Sequence, residues 1–282
     1  MSTYKSFAVV GGGMIGLPIV NALAAKNVSV ILLSRPGSSA KTVPSGVKVV
    51  PTDLQHTDAV AKVLREHNVD VVLSTIATSA VVDDVQTTLV DASKLAGVKL
   101  FVPSEYGLPT EGQSEGALRS KAQIAKYLKS VGIPSTRVYV GMWTDVIPIL
   151  LNLETKPQII GKGETKFSIT AVADIAGAVA HALTTASPSE LENRELRLEG
   201  ERVTLNQLAA LFKVTPEYVD TITQGQNPQF LQVLMREIEA GKGSTGWDAA
   251  SNAEGTGIKA AGSGNALWPG HQWLTVKDVF KL

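Results

Sequence analysis

The residues with the plainest chemical potential are six consecutive positions, Gly11-Gly12-Gly13-Met14-Ile15-Gly16, and a cation, Arg35, that follows the next apolar run. Spaced glycines between a strand and a helix suit a diphosphate. Gly11 permits a tight turn, Gly13 lets the backbone approach the pyrophosphate, and Gly16 lets the helix lie close on the strand. The helix entrance at Met14 and Ile15 would offer free N–H groups and a positive dipole end to the anion. Ser34-Arg35 then stands where the second ribose of a dinucleotide would arrive. No acid is there to accept from a 2′-hydroxyl, whereas a guanidinium can grip a 2′-phosphate in a bidentate way, so NADP(H) is the expected cofactor. Lys41 adds a nearby cation. The alternatives are a βα turn that binds nothing and an Arg35 that is only a solvated strand-end charge.

Hydride chemistry on such a cofactor needs a proton given or taken. Tyr-x-x-x-Lys, a common device for alcohol–ketone interconversion, does not occur in the chain, which contains no cysteine. Disulfides, thiol catalysis and cysteine-ligated metals are thereby excluded. The histidines, His56, His67, His181 and His271, lack ligand spacing, so no metal site is expected. His181 reads as a core residue, and His271, in a turn near two tryptophans, as a residue at a pocket edge. One candidate proton carrier is Lys121, in Arg119-Ser120-Lys121-Ala122 on a predicted helix. A lysine partly desolvated beside a pyridinium cation has a lowered pKa and suits general acid/base work. The alternative is a surface charge, as expected for Lys126 and Lys129 on the same helix. Pro103-Ser104-Glu105-Tyr106-Gly107 follows the predicted fifth strand. Ser104 and Tyr106 are secondary candidates there, Tyr106 reading as a packed ring with a solvated hydroxyl, and Glu105 as a residue that fixes the loop.

These residues need a frame. Residues 7–10 and 28–33 read as strands around the helix that follows Gly16, and 47–50 as a third strand ending near Asp53. Residues 57–67 show helical spacing, and 69–76 form a near-continuous apolar run, the mark of a strand buried on both faces of a parallel sheet. A helix over 80–96, a strand over 99–102, a helix over 117–131 closed by Gly132 and a strand over 136–140 complete the alternation. That pattern specifies an α/β doubly wound parallel Rossmann sheet over residues 1–142. Residues 143–282 are expected to form mostly a smaller α+β substrate-capping region, with 170–185 packing back on the sheet domain. Within the cap, short strands are expected near 159–160 and 167–169, and one over 195–198 that does not extend the main sheet. Helices are expected from Thr204, from Thr215-Pro216 and over 228–240. The Gly-, Ser- and Ala-rich stretch 241–264 reads either as a flexible linker or as a mobile flap. Trp268 and Trp273 are expected to dock the tail on the body.

Lys plus Arg and Asp plus Glu number 26 each, so no net field favours nucleic acid or an anionic membrane. Hydrophobic residues make up 44% of the chain, enough for a sizeable core. No run reaches the roughly 18 apolar residues of a membrane helix. The first apolar run leads into the glycine turn rather than a cleavage site, so a cytoplasmic protein is expected, as a monomer or homodimer.

In order and spacing, the glycine turn, Arg35, Pro103-Ser104-Glu105-Tyr106-Gly107, Lys121 and Gly132-Ile133-Pro134 resemble the NmrA-like and isoflavone-reductase-like families, atypical short-chain dehydrogenases that bind NADP. The likeness spans about residues 5–183, and the family usually has Phe where Tyr106 stands. It implies that Lys121 sits beside the nicotinamide and manages protons. It implies Asp53 at the adenine, Thr75 and Ala77 along the far ribose and nicotinamide, and Val140, Gly141 and Met142 flanking the nicotinamide amide. Each of these strand-end residues is equally open to a purely structural reading. The implied reaction is NADPH-dependent hydride delivery to a conjugated or benzylic position of a small aromatic or phenolic compound. The alternative within the resemblance is a non-catalytic NADP(H)-binding regulator that binds a protein partner. A sugar-nucleotide epimerase-like enzyme is disfavoured by the missing tyrosine–lysine pair.

Overall fold

The computed structural model describes residues 4–38, 42–76, 82–113 and 116–282. Strand β1 (Ser6–Val10) passes through the glycine turn into helix α1 (Gly16–Ala24) and returns as β2 (Ser29–Ser34). The alternation continues with β3 (Lys48–Pro51), α2 (Thr57–Glu66), β4 (Val71–Ser74), α3 (Val82–Ala96), β5 (Leu100–Val102), α4 (Gly116–Val131) and β6 (Thr136–Tyr139). The first five strands pair in parallel in the order β3-β2-β1-β4-β5. Strand β6 joins beyond β5, where Phe101 bridges Ser135 and donates its amide to the Pro134 carbonyl at 2.9 Å. The register sets Val10 level with both Leu33 and Ser74, so Gly11, Ser34 and Thr75 emerge along one strand-end rim.

Side chains alternate across the pleat. Phe7, Val9, Leu32 and Leu73 fill the core on one face, while Ala8, Val10, Ile31, Leu33 and Val72 fill the core on the other. Buried Val60 and Leu64 of α2, Leu89 and Val90 of α3, and Ile124 and Leu128 of α4 belong to the second core. Past β6 the chain forms β7 (Met142–Trp143), α5 (Ile147–Leu150), β8 (Gln158–Ile160), β9 (Phe167–Thr170) and α6 (Val172–Thr185). Helix α6 packs against α1 and places Ile175 and Val179 in the first core. Next come α7 (Pro188–Leu191), β10 (Arg194–Arg197), β11 (Glu201–Val203), α8 (Leu205–Leu211), β12 (Glu217–Val219) and α9 (Pro228–Glu239). A two-residue hairpin pair, β13 (Trp247–Asp248) and β14 (Ala253–Glu254), precedes the terminal helix α10 (Val276–Phe280). Phe167, Ile169, Leu208, Met235 and Ile238 belong to the separate core of the cap. Among the described residues, no helix is long and apolar enough to cross a membrane.

Three sequence expectations for the cap are corrected by this arrangement. Strand β10 does extend the main sheet, pairing in parallel with β6 in the register Leu196↔Val138. The irregular run of elements around it hid this place, and its charges are matched by β6. Glu195 pairs with Arg137 across the strands and with Arg197 at 2.6 Å, and the guanidinium carbons of Arg137 and Arg197 lie 5.6 and 5.3 Å from the Tyr139 ring centroid. Residues 217–219, behind Thr215-Pro216, form a strand and not a helix. Glu217 donates to the Pro157 carbonyl at 2.8 Å and β12 pairs with β8, so a tertiary partner overrides the capping signal. Residues 241–264 are folded against the body and are not an open linker. Ser244, Thr245 and Trp247 are buried, and the Arg197 guanidinium donates to the Thr245 and Trp247 carbonyls at 2.6 and 3.1 Å. Glycine is needed there for close approach: a Cβ on Gly264 would stand 2.9 Å from the backbone nitrogen of Arg197. The tail does dock, with Trp268 over Gly177 of α6 and stacked on His271 at 3.6 Å.

Candidate functional site

The rim is built from successive strand ends sewn together by short hydrogen bonds. At its centre Gly11 takes a φ of +100°, conformational space that glycine enters freely, and donates to the Leu33 carbonyl at 3.0 Å. The Thr75 hydroxyl lies 3.0 Å from the Val10 carbonyl and 2.8 Å from the Gly11 carbonyl, clamping the turn onto β4. A Cβ on Gly16 would meet the Gly11 oxygen at 2.0 Å, so α1 can start this close to β1 only without a side chain. A Cβ on Gly13 would meet nothing within 4 Å. That open face adjoins Met14, which is 56% exposed, whereas Ile15 turns into the core. Ser34 and Arg35 stand at the end of β2, and Arg35 is exposed with no ion-pair partner among the described residues. The Ser34 carbonyl accepts from Thr52 at 2.8 Å, which brings the Asp53 turn alongside. The Asp53 carboxylate serves that turn, accepting from the Gln55 amide at 3.0 Å and pairing with His56 at 2.8 Å. These contacts, the Gln55 amide first, hold its pKa below the usual carboxylate range. Ala77 and Lys41 lie outside the described residues.

Further along, the Ser104 hydroxyl donates to the Ile76 carbonyl at 2.8 Å and its amide donates to Gln86 Oε1 at 3.0 Å, joining the loop after β5 to β4 and α3. The Val140 and Gly141 amides donate to the Gly107 carbonyl at 3.0 and 3.2 Å. Gly141 has a φ of +68°, and a Cβ there would stand 2.1 Å from the Ser168 oxygen. The Val140 carbonyl accepts from Thr170 at 2.8 Å, and Trp143 Nε1 donates to the Tyr106 carbonyl at 2.8 Å. Gln86, Thr170 and Trp143 thus shape the site although nothing in the sequence marked them. They reach it through elements far apart in the chain.

Lys121 projects from α4 on the stripe that carries buried Ile124 and Leu128, at i+3 and i+7, whereas Lys126 and Lys129 are exposed. The helix therefore aims this lysine at the sheet. Its Nζ donates to the Glu105 carbonyl, and burial lowers its pKa, opposed in part by the Glu105 carboxylate. Glu105 is itself buried, with Thr110 donating to Oε1 at 3.0 Å. Burial raises its pKa against the pull of Lys121 and Arg137. Tyr106 departs from the sequence expectation. Its ring is packed in the core as expected, but the hydroxyl is buried, with no hydrogen-bond partner among the described residues, instead of solvated, and burial lifts its pKa well above the usual phenol value. The backbone turn at Tyr106, with a φ of +36°, carries the phenol inward. His271 belongs to the docked tail, stacked on Trp268. Its Nε2 lies 2.8 Å from Asp174 at the start of α6, inside the docked tail. His181 is half-buried beside it, with its ring centroid 5.7 Å from that of Trp268.

Residues 3–236 match the NmrA-like family. The oxidoreductase aprR of Aspergillus flavus is 30% identical over 242 residues, 79% of each chain. The fold resembles that of AtPrR2 solved with NADP+ and (+)pinoresinol, with a TM-score of 0.78 and 20% identity over 100% of this chain and 99% of the other. It likewise resembles the leucoanthocyanidin reductase–NADPH complex from Vitis vinifera, with a TM-score of 0.78 and 21% identity over 98% of both chains.

Proposed function

Because the chain belongs to the NmrA-like family, we propose that it is an NADPH-dependent reductase of a small aromatic or phenolic compound, with Lys121 as its general acid/base. The observation that carries this reading is the inward Lys121, held at the Glu105 carbonyl on the same strand-end rim as the glycine turn. The rim fits the cofactor. The open face at Gly13 admits a diphosphate, and the unpaired Arg35 suits a 2′-phosphate. Thr75, Val140 and Gly141 stand farther along the rim, where the nicotinamide half would lie, with Asp53 at the adenine end; Ala77, two residues after Thr75 in the chain, is proposed for the same half. Bound NADPH would supply the hydride. The residues of the chain orient it, exclude water and move a proton at Lys121 Nζ, whose lowered pKa brings it nearer the useful range. The complexes of AtPrR2 with (+)pinoresinol and of leucoanthocyanidin reductase with NADPH support the class of substrate and the cofactor.

The test is titration with NADPH and NADP+, followed by NADPH absorbance decay against a panel of phenolic and enone compounds. Turnover of a panel member is expected, and Lys121→Ala should slow it by about 10²–10⁴-fold, the usual worth of a lost acid or base. A normal rate in that variant removes Lys121 from the chemistry. Tight binding of both redox forms with no turnover on the panel overturns the enzyme and favours a cofactor-responsive regulator.

A further inference from the structure

The loop after β5 contains an acid that the proton step above does not use. Glu105 is 2% exposed, and its two carboxylate oxygens are treated differently. Oε1 accepts from the fully buried Thr110 hydroxyl, while Oε2 has no hydrogen-bond partner among the described residues. The same residue accepts the Lys121 ammonium on its main-chain carbonyl. The carboxylate therefore addresses Lys121 through the protein interior and not by an ion-pair contact. The other charges facing it are already engaged. Arg137 is paired with Glu195, and Arg197 is held by Glu195 and by the Thr245 and Trp247 carbonyls. The Tyr139 and Tyr106 phenols, both raised by burial, stay neutral at ordinary pH.

We propose that Glu105 is a positioning residue for Lys121: its carbonyl aims the amine along the rim, and its Thr110-locked carboxylate sets the proton affinity of that amine. This rests on Lys121 being the proton carrier of the proposed reaction. Burial favours the neutral amine and also raises the Glu105 carboxyl; above that raised pKa the carboxylate's negative charge in the same interior favours the ammonium. The carboxylate thereby keeps Lys121 protonated to a higher pH than burial alone allows.

The test follows the Lys121 side-chain signal by NMR in protein labelled at lysine Cε and Nζ, assigned by its loss in Lys121→Met, beside the pH–rate profile. Glu105→Gln preserves shape and the Thr110 contact but removes the charge. It should move the Lys121 midpoint down by about one unit or more, the usual effect of a nearby opposite charge, with the matching limb of the rate profile moving alongside. Should Glu105→Gln fail to fold, Thr110→Val weakens the lock on the carboxylate and should shift the midpoint the same way by less. An unmoved midpoint, with only a fall in Tm, makes Glu105 a structural residue and overturns the proposal. A midpoint that moves while Lys121→Met still turns over upholds the coupling and overturns the catalytic role of Lys121 instead.

Discussion

The glycine turn after β1 and the loop after β5 share one strand-end rim yet treat polar groups in opposite ways. Among the described residues the turn leaves its capacity facing outward: open space at Gly13, an exposed Met14 and an unpaired Arg35. The loop turns its capacity inward, burying Glu105 Oε2 and the Tyr106 hydroxyl without partners among the described residues. Water satisfies an outward group until a ligand replaces it, so such a site is stable when empty. A buried orphan has no substitute for water and costs about 1–3 kcal/mol. The first arrangement suits capture of a soluble anion. The second suits the tuning of a proton, because charges act strongly where water is excluded.

The sharpest way to break this contrast lies within the turn itself. Gly16→Ala drives a Cβ to 2.0 Å from the Gly11 oxygen and 2.5 Å from Thr75 Oγ1, so α1 must shift on β1. A large loss of Tm or of soluble protein is expected, with NADPH binding lost alongside. Gly13→Val meets no protein atom in the same way, and should keep the wild-type melting curve while abolishing NADPH binding. A Gly13→Val protein that binds NADPH normally would show that the open face is not a ligand site. Arg35→Ala comes next in size. Losing a charge-assisted contact worth about 1.5–3 kcal/mol should weaken NADPH by roughly 10–100-fold and leave NADH nearly unchanged. Equal losses for both dinucleotides would sink the 2′-phosphate assignment.

The contrast also explains what could be read from residue order alone. The turn is local: strand, glycines, helix and cation follow one another, so Gly11, Gly16 and Arg35 were legible as a unit. The parallel sheet was legible for the same reason, since each apolar run and its following helix carry their own period. Lys121 stood out through the family resemblance, its spacing alone leaving a surface charge open, and Ile124 and Leu128 mark the inward stripe on which it lies. The loop was legible only as a motif. The Thr110 lock on Glu105, the Gln86 contact to Ser104 and the orphaned Tyr106 hydroxyl depend on how β5, α3 and β6 converge. Misreadings in the cap have the same origin. Strand β10 sits in a stretch too irregular to reveal its place in the sheet, and Arg137 and Tyr139 of β6, distant in sequence, accommodate its charges. Residues 241–264 looked flexible because a glycine needed for packing against Arg197 has the same letter as one in a linker.

The smallest expected effect separates cost from purpose in the loop. Tyr106→Phe removes only the hydroxyl, leaving the ring in its packed position and the φ of +36° unchanged. Since that hydroxyl lacks a partner, its removal should raise stability by about 1 kcal/mol. That gain corresponds to a Tm increase of roughly 2–4 °C for a domain approaching this size, read by thermal unfolding. A fall in Tm would mean that the hydroxyl is satisfied in solution and that the loop is less strained than its geometry indicates. The kinetic readout then assigns a purpose. If Tyr106→Phe raises Tm and leaves KM unchanged, the orphan is a cost of fitting tyrosine into a turn that would hold phenylalanine better. If Tm rises while KM for the reduced compound also rises, the hydroxyl is held unpaired in the free protein for a partner that arrives with the substrate. The inward loop would then resemble the outward turn in its logic and differ only in being dry.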